Sequence, residues 1–179
     1  MNETAEKIMD AAERRVRSGG YGAMSFRDLA AEIGIKSSSV HYHFPTKEAL
    51  ASTLVERYTA RLKTYLDDEM ASERSTREKL AAFVDYYRKA LELDHSICLC
   101  VMLGAESIEL PVQIKERVQA FYETGERWLE ELFEVAGKED PRTAAAVTLA
   151  SLSGAMVVAS TANDREQFEK TARFLEKLI

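Results

Sequence analysis

The sequence is poor in the residues that cross-link, ligate or anchor a chain. Its 179 residues include two cysteines, Cys98 and Cys100, which excludes a disulfide scaffold and is typical of a reducing cytoplasm. No uninterrupted apolar run reaches the roughly 18 residues that a membrane helix needs. The most apolar stretch, 144–162, is broken by serine, threonine and glycine, so we interpret it as a buried helix. The polar, acidic first ten residues predict no signal peptide, and we expect a cytoplasmic protein without a membrane span.

The sequence also lacks the alternating pattern of strands, which predicts an all-α fold of about nine helices. The three prolines, Pro45, Pro111 and Pro141, lie where helices are predicted to begin. The predicted helices span 4–18, 26–33, 37–43, 47–70, a segment after the Ser75–Glu78 capping box, 97–103, a segment between Pro111 and Gly137, 141–161 and 165–178. We expect an N-terminal three-helix domain at 1–46 and a second helical domain at 47–179, connected by helix 4.

Charge is unevenly distributed along the chain. The formal net charge is −6, yet the segment from Arg14 to Lys47 holds six basic residues and two acidic ones, Asp28 and Glu32. A basic segment in an acidic chain is typical of a local nucleic-acid contact, although chance clustering would produce the same count.

The segment 25–47 has the pattern of a helix-turn-helix. Two short helices meet at Gly34, and the second helix of such a unit enters the major groove of DNA. Val40 and Phe44 would pack it on its own domain. The other positions carry small or hydrogen-bonding side chains: Lys36, Ser37, Ser38, Ser39, His41, Tyr42 and His43. Serines are poor helix formers, so three in succession favour close approach to DNA over helix stability.

Other chemistries find little support. His41 and His43 stand two residues apart on a predicted helix and point in different directions, so we expect no metal site. The third histidine, His95, is predicted to be a polar residue between helices 5 and 6. Cys98 and Cys100 diverge for the same reason and are predicted to be buried, inert thiols. We find no nucleophile elbow and no phosphate-binding glycine-rich loop, which argues against an enzyme and against a cofactor.

The stretch from Met24 to Leu50, MSFRDLAAEIGIKSSSVHYHFPTKEAL, resembles the characteristic sequence of the TetR family of regulators, and the likeness extends from about Ile8 to Tyr58. The resemblance implies DNA contacts from helix 2, from the recognition helix and from a phosphate-binding lysine. These residues are Ser25, Arg27, Lys36, Ser37, Ser38, Ser39, His41, Tyr42 and Lys47. Many members carry tyrosine where this chain has His41.

For the second domain, the resemblance implies an effector cavity among helices 4 to 7 and a homodimer through helices 8 and 9. A partly apolar pocket would be lined by Phe83, Tyr87, Met102, Phe121 and Tyr122, and the effector would be small and partly apolar, either aromatic or, given Glu106, cationic.

The resulting hypothesis is a repressor that binds a palindromic DNA operator as a dimer and is released by a small molecule. A constitutive DNA-binding protein without an effector and a small helical enzyme remain as alternatives. The effector, the operator, the regulated genes, the direction of regulation and any redox role of the cysteines stay open.

Overall fold

The computed structural model describes residues 2–92 and 96–179, and these residues form nine α-helices and no strand. The all-α prediction is therefore confirmed, while the prediction for His95 lies outside the described residues. The helices are α1 (Glu3–Gly19), α2 (Phe26–Glu32), α3 (Ser37–His43), α4 (Lys47–Ala71), α5 (Thr76–Glu92), α6 (Leu99–Ala105), α7 (Val112–Val135), α8 (Pro141–Ala162) and α9 (Glu166–Leu175). A 3-10 turn at Tyr21–Ala23 connects α1 to α2.

Side-chain caps determine where several helices begin. Thr46 Oγ1 accepts a hydrogen bond from the Ala49 amide at the start of α4. Before α5, Glu78 accepts from the Ser75 amide and hydroxyl, while its own amide donates to Ser75 Oγ. Asp140 caps α8 in the same way. These bonds satisfy amide groups that have no partner inside the helix.

Ser25 stands at the N-cap position of α2, and within the described part of the chain its side chain makes no capping hydrogen bond. The predicted end of the last helix needs correction. Helix α9 ends at Leu175, before the predicted Leu178, because the chain tightens into i to i+3 bonds such as that from the Lys177 amide to the Phe174 carbonyl. A helix end can close in either geometry, and the periodicity of apolar residues does not distinguish them.

The N-terminal helices contribute to the continuous hydrophobic core of the molecule and are joined to α4 by salt bridges as well. Val40 of α3 is fully buried among them. On the outside, Arg57 of α4 forms salt bridges with Glu6, Asp10 and Glu13 of α1. Three carboxylates around one guanidinium hold α1 against the first half of α4.

The C-terminal helices form a second layer in which α7 packs against both α4 and α8, and α8 packs against α9. Trp128 of α7 is buried there and donates its indole N–H to the Leu66 carbonyl of α4. The long helix α4 therefore belongs to both halves of the molecule.

Helix α8 is buried along one face only. By length and apolar composition alone it could cross a membrane, and 39% of its most apolar window is buried. Its inner face, which includes Leu152 and Met156, packs in the domain core. Its outer face exposes Val147, Val157 and Val158. A core helix with one apolar face left uncovered accounts for this composition.

Candidate DNA interface and effector site

A sharp turn at Gly34 sets the recognition helix apart from α2. Gly34 has φ +70°, a conformation that costs side-chain-bearing residues energy. The next amide, of Ile35, donates back to the Ala30 carbonyl and closes the end of α2. Val40 and Phe44 then anchor α3, with 0% and 5% of their surfaces exposed. Both were predicted to be core residues, and the structure confirms this.

The opposite face of α3 is open to solvent. Tyr42 is 84% exposed, and Ser38 and His41 are exposed as well. Ser37 and Ser39 are partly covered. The predicted base-reading side chains thus project from one short helix, with Tyr42 at its most accessible point.

The two histidines of α3 have separate surroundings. His41 packs edge-on against Phe26 of α2 at 4.7 Å between ring centres. His43 instead lies against Tyr42. In the described part of the chain no group of three metal-binding side chains comes together.

Three basic residues surround α3 without salt-bridge partners among residues 2–92 and 96–179. Arg27 near the start of α2 and Lys36 at the start of α3 are exposed. Lys47 is the first residue of α4, where free backbone amides favour an anion. These cations and the helix terminus are the groups expected to contact DNA phosphates.

The sequence-based charge count overstates the positive charge of this face. Arg14 and Arg15 both bind the Glu32 carboxylate, at 2.8 and 2.7 Å. The hydrogen bond from Arg14, aided by Arg15, lowers the pKa of Glu32. Arg17 is buried and donates to the carbonyls of Ala90 and Ile97. These arginines hold the structure together, so fewer cations face the solvent than the segment contains.

The five predicted effector residues occupy two different environments. Phe83, Tyr87 and Phe121 are almost fully buried, and Phe83 stacks on Trp128 at 5.4 Å between ring centres. The Tyr87 hydroxyl is buried and has no hydrogen-bond partner within residues 2–92 and 96–179, and burial raises its pKa well above the usual value of 10. A buried hydroxyl without a partner is costly and marks a place where a polar ligand atom could be accommodated.

The other two effector residues lie beside α6. Met102 is partly buried against the core, and Tyr122 of α7 lines a groove of about 470 Å³ between α6 and α7. Its hydroxyl donates to the Cys100 carbonyl at 3.1 Å. The full lining is Leu103, Gly104, Ser107, Leu110, Lys115, Val118, Gln119, Tyr122, Glu123 and Glu126. The structure thus brings Tyr122 to this groove, whereas the other four predicted residues are not part of its lining.

Both cysteines are buried beside these aromatic residues. The Tyr58 hydroxyl donates to Cys98 Sγ at 3.5 Å. Burial raises the pKa of the Cys98 thiol and raises that of Cys100 further. Neither environment favours a reactive thiolate.

Glu106 is absent from the lining of the groove beside Tyr122. Its carboxylate accepts a hydrogen bond of 2.7 Å from the amide of Tyr21, in the turn after α1. Glu106 also lines a separate cavity of about 440 Å³ together with Tyr21 and Leu110. The expectation of an aromatic or cationic effector near Glu106 therefore stays a prediction.

Sequence reasoning missed Tyr21 altogether. Its ring lies below the Lys47 ammonium, 4.1 Å from Nζ to the ring centre, and its hydroxyl is 3.5 Å from Glu48 Oε1. An aromatic residue in a glycine-rich turn belongs to no periodic pattern. The only available signal was its position between Gly20 and Gly22, where a bulky side chain is unexpected.

Comparison with known proteins agrees with this geometry. A family model described as "Bacterial regulatory proteins, tetR family" matches residues 8–54. The whole chain superposes on a TetR transcriptional regulator from Legionella pneumophila with a TM-score of 0.94 and 28% identity, covering 100% of this chain and 98% of that one.

Two curated relatives match part of the chain. An uncharacterised HTH-type transcriptional regulator, YerO of Bacillus subtilis (strain 168), is 34% identical over 32% of this chain. The HTH-type transcriptional repressor KstR2 of Rhodococcus jostii (strain RHA1) is 28% identical over 50% of this chain. The matched parts span only 20% and 44% of those relatives. The matching segment shows that residues 8–54 are similar to the DNA-binding part of the tetR family of bacterial regulatory proteins, and the superposition shows that the whole chain has the fold of a TetR transcriptional regulator.

Proposed function

We propose that the protein is a homodimeric repressor that binds a palindromic DNA operator and is released from it by a small molecule. The observation that carries the proposal is the exposed face of α3, from which Ser38, His41 and Tyr42 project while Val40 and Phe44 are buried. A helix held this way by its own domain is available to the major groove.

Contacts would divide between phosphates and bases. Lys47, at the start of α4, and Arg27 are suited to phosphate oxygens. Ser25 is partly exposed beside Arg27 and would support the same strand. Base edges would be read by the side chains of the recognition helix: Lys36, Ser37, Ser38, Ser39, His41 and Tyr42.

The dimer would form through α8 and α9. The outer face of α8 carries Val147, Ala150, Gly154, Val157 and Val158 at helical spacing, all exposed. Such an apolar stripe with a glycine at its centre permits close contact with a second copy of the same helix. Phe174 of α9, 66% exposed, would extend the interface.

The effector would bind beside α6, in the groove over Tyr122. Leu103, Leu110 and Val118 make its floor apolar, and Lys115 lies at its edge. In the interior of the C-terminal helices, the hydroxyl groups of Tyr87 and Thr148 are buried and have no hydrogen-bond partner among the described residues. A partly apolar molecule with a hydrogen-bonding end suits this combination. It would release DNA only as far as it prefers the state that does not bind DNA.

Repression is proposed rather than activation because KstR2 is named a repressor. The likeness to KstR2 extends over 50% of this chain and 44% of that protein. It supports repression as the proposed direction of regulation and does not identify the effector.

The proposal can be tested by selecting operator sequences with the purified protein from a random pool of duplexes. Binding of the enriched duplex is then measured against salt for wild type and for Tyr42→Ala, Lys47→Ala and Lys63→Ala. Lys63 is a matched control because it is an exposed lysine of α4 paired with Asp67. Lys47→Ala should weaken binding and reduce the salt slope by about 1, Tyr42→Ala should weaken sequence preference, and Lys63→Ala should change neither.

Failure of the pool to enrich at low salt would contradict the proposal, as would equal effects of Lys47→Ala and Lys63→Ala. The effector part is tested separately by screening small molecules for thermal stabilisation and then for release of the selected duplex.

A further inference from the structure

Tyr21 lies between α4 and the end of α6, and its side chain and its backbone amide contact these two elements separately. Its amide donates to Glu106 Oε2 at the end of α6. Its ring lies below Lys47 Nζ, and its hydroxyl donates to Glu48, both in the first turn of α4. One residue of the turn after α1 therefore connects the end of α6 with the start of α4.

At the end of α6, the Glu106 carboxylate packs closely against the backbone of Gly20. A Cβ atom on Gly20 would lie 1.9 Å from Glu106 Oε1, so the absence of a side chain there allows the carboxylate to reach the Tyr21 amide. Glu106 directly follows α6, and Leu103 and Gly104 of that helix line the groove over Tyr122. A shift of α6 would move the carboxylate away from Tyr21.

The α4 side bears on DNA binding. A lysine ammonium above an aromatic ring is held electrostatically while its N–H groups can still donate outwards. The long lysine side chain otherwise loses considerable freedom on binding a phosphate. Support from Tyr21 would reduce that loss before DNA arrives. The contact with Glu48 fixes the phenol ring against the same helix turn, and together with burial it raises the pKa of Tyr21 to about 12.

We propose that Tyr21 is a positioning residue that couples α6 to the phosphate-binding lysine. While Glu106 holds the Tyr21 amide, the ring keeps Lys47 ready for a phosphate. When α6 moves, the turn is released and Lys47 loses its support. This inference rests on the proposed function for the role of Lys47, but the coupling itself can be observed without DNA.

The test without DNA is a nuclear magnetic resonance measurement of the Lys47 Hε protons in the full chain. The Tyr21 ring should shift them upfield. Glu106→Ala should move them back towards the free-lysine position, and Glu106→Gln, which keeps an oxygen acceptor, should preserve most of the shift. Glu109→Ala is the matched control, since Glu109 lines the same cavity as Glu106 but does not accept the hydrogen bond of the Tyr21 amide. An unchanged Lys47 shift in Glu106→Ala would overturn the proposal.

The test with DNA is a double-mutant cycle on the selected duplex. Tyr21→Leu should raise the dissociation constant about two- to fivefold, the range expected for an exposed cation–aromatic contact, whereas Tyr21→Phe keeps the ring and should leave it nearly unchanged. In a Lys47→Ala background, Tyr21→Leu should have no further effect. Equal effects of Tyr21→Leu in both backgrounds would overturn the coupling.

Thermal unfolding followed by circular dichroism checks that each variant is folded. If Tyr21→Leu does not fold, the cycle between Glu106→Ala and Lys47→Ala decides the same question, with additive effects overturning the proposal. If the wild type binds no duplex while the Lys47 protons respond to Glu106→Ala, the proposed function fails and the coupling stands.

Discussion

Several individual tyrosine and cysteine side chains among the C-terminal helices have their polar atoms buried in an apolar interior. Tyr58 and Tyr87 are buried with their hydroxyl groups, next to the thiols of Cys98 and Cys100. Burial disfavours the ionised form of each group and raises its pKa. Two consequences can be measured in solution.

The first concerns the thiols. Because the thiolate is the reactive form and both thiols are buried, the native protein should react with a water-soluble disulfide reagent far more slowly than the protein unfolded in guanidinium. Two thiols per chain should react after unfolding. Complete reaction of the native protein within the mixing time would contradict the burial of both cysteines and reopen a redox role.

The second concerns alkaline stability. The unfolded chain releases tyrosine protons near pH 10, while the folded state retains those of Tyr58 and Tyr87 to higher pH. Their contribution to stability is therefore complete below about pH 10 and is lost as the pH rises above it. Urea unfolding midpoints between pH 8 and 11 should fall over this range. Tyr87→Phe removes a hydroxyl without a partner, so it should reduce the fall while costing little at pH 7. A midpoint independent of pH would contradict this.

Among the structural elements, the turn between α1 and α2 is the most constrained. Gly20 has φ +74° and ψ −174°, a region open essentially to glycine alone. It also faces the Glu106 carboxylate. Backbone strain and the close approach of the Glu106 carboxylate therefore occur at the same residue, Gly20.

Gly20→Ala should therefore destabilise the protein by about 2 kcal/mol or more, from backbone strain and from the clash with Glu106. Gly22→Ala is the control, because a Cβ there meets nothing within 4 Å. Thermal or urea unfolding measures both. A Gly20→Ala variant as stable as Gly22→Ala would show that the turn relaxes freely.

The helices themselves were predictable from local sequence. The bounds of α3 and the caps Thr46, Ser75 and Asp140 depend on residues within one helical turn, so spacing and side-chain chemistry were enough. Pairing between distant residues was not predictable in this way. Arg17 meets carbonyls 73 and 80 residues away, and nothing in its immediate sequence distinguishes it from a cation that faces DNA.

At the scale of the whole molecule, the proposed DNA-binding residues were predictable from the sequence and the proposed effector-binding residues were not. The exposed face of α3 followed from a short motif, whereas the effector residues were spread over helices whose packing decides which side chains are accessible. Of those five, Tyr122 lines the groove between α6 and α7, and Phe83 and Tyr87 pack in the core. Helical periodicity identifies a buried face but does not distinguish a packed core from the wall of a cavity.

The proposed dimer makes its own prediction. Val158 is 54% exposed on α8 and Val112 is 66% exposed at the start of α7. Val158→Glu should bury a charge in the interface and shift the protein towards monomers, while Val112→Glu should leave the assembly unchanged. Sedimentation velocity distinguishes the two species. If Val158→Glu, Val112→Glu and the wild type all have the same sedimentation coefficient, this face of α8 is excluded as the interface.

The central claim is that two copies of α3 enter successive major grooves of one duplex. It is tested most directly by a hydroxyl-radical footprint of the wild-type protein on its selected duplex. We expect two protected segments related by two-fold symmetry, with centres about 10 base pairs or a multiple of that apart. A single protected segment, or a duplex cut evenly along its length at low salt, would contradict the account.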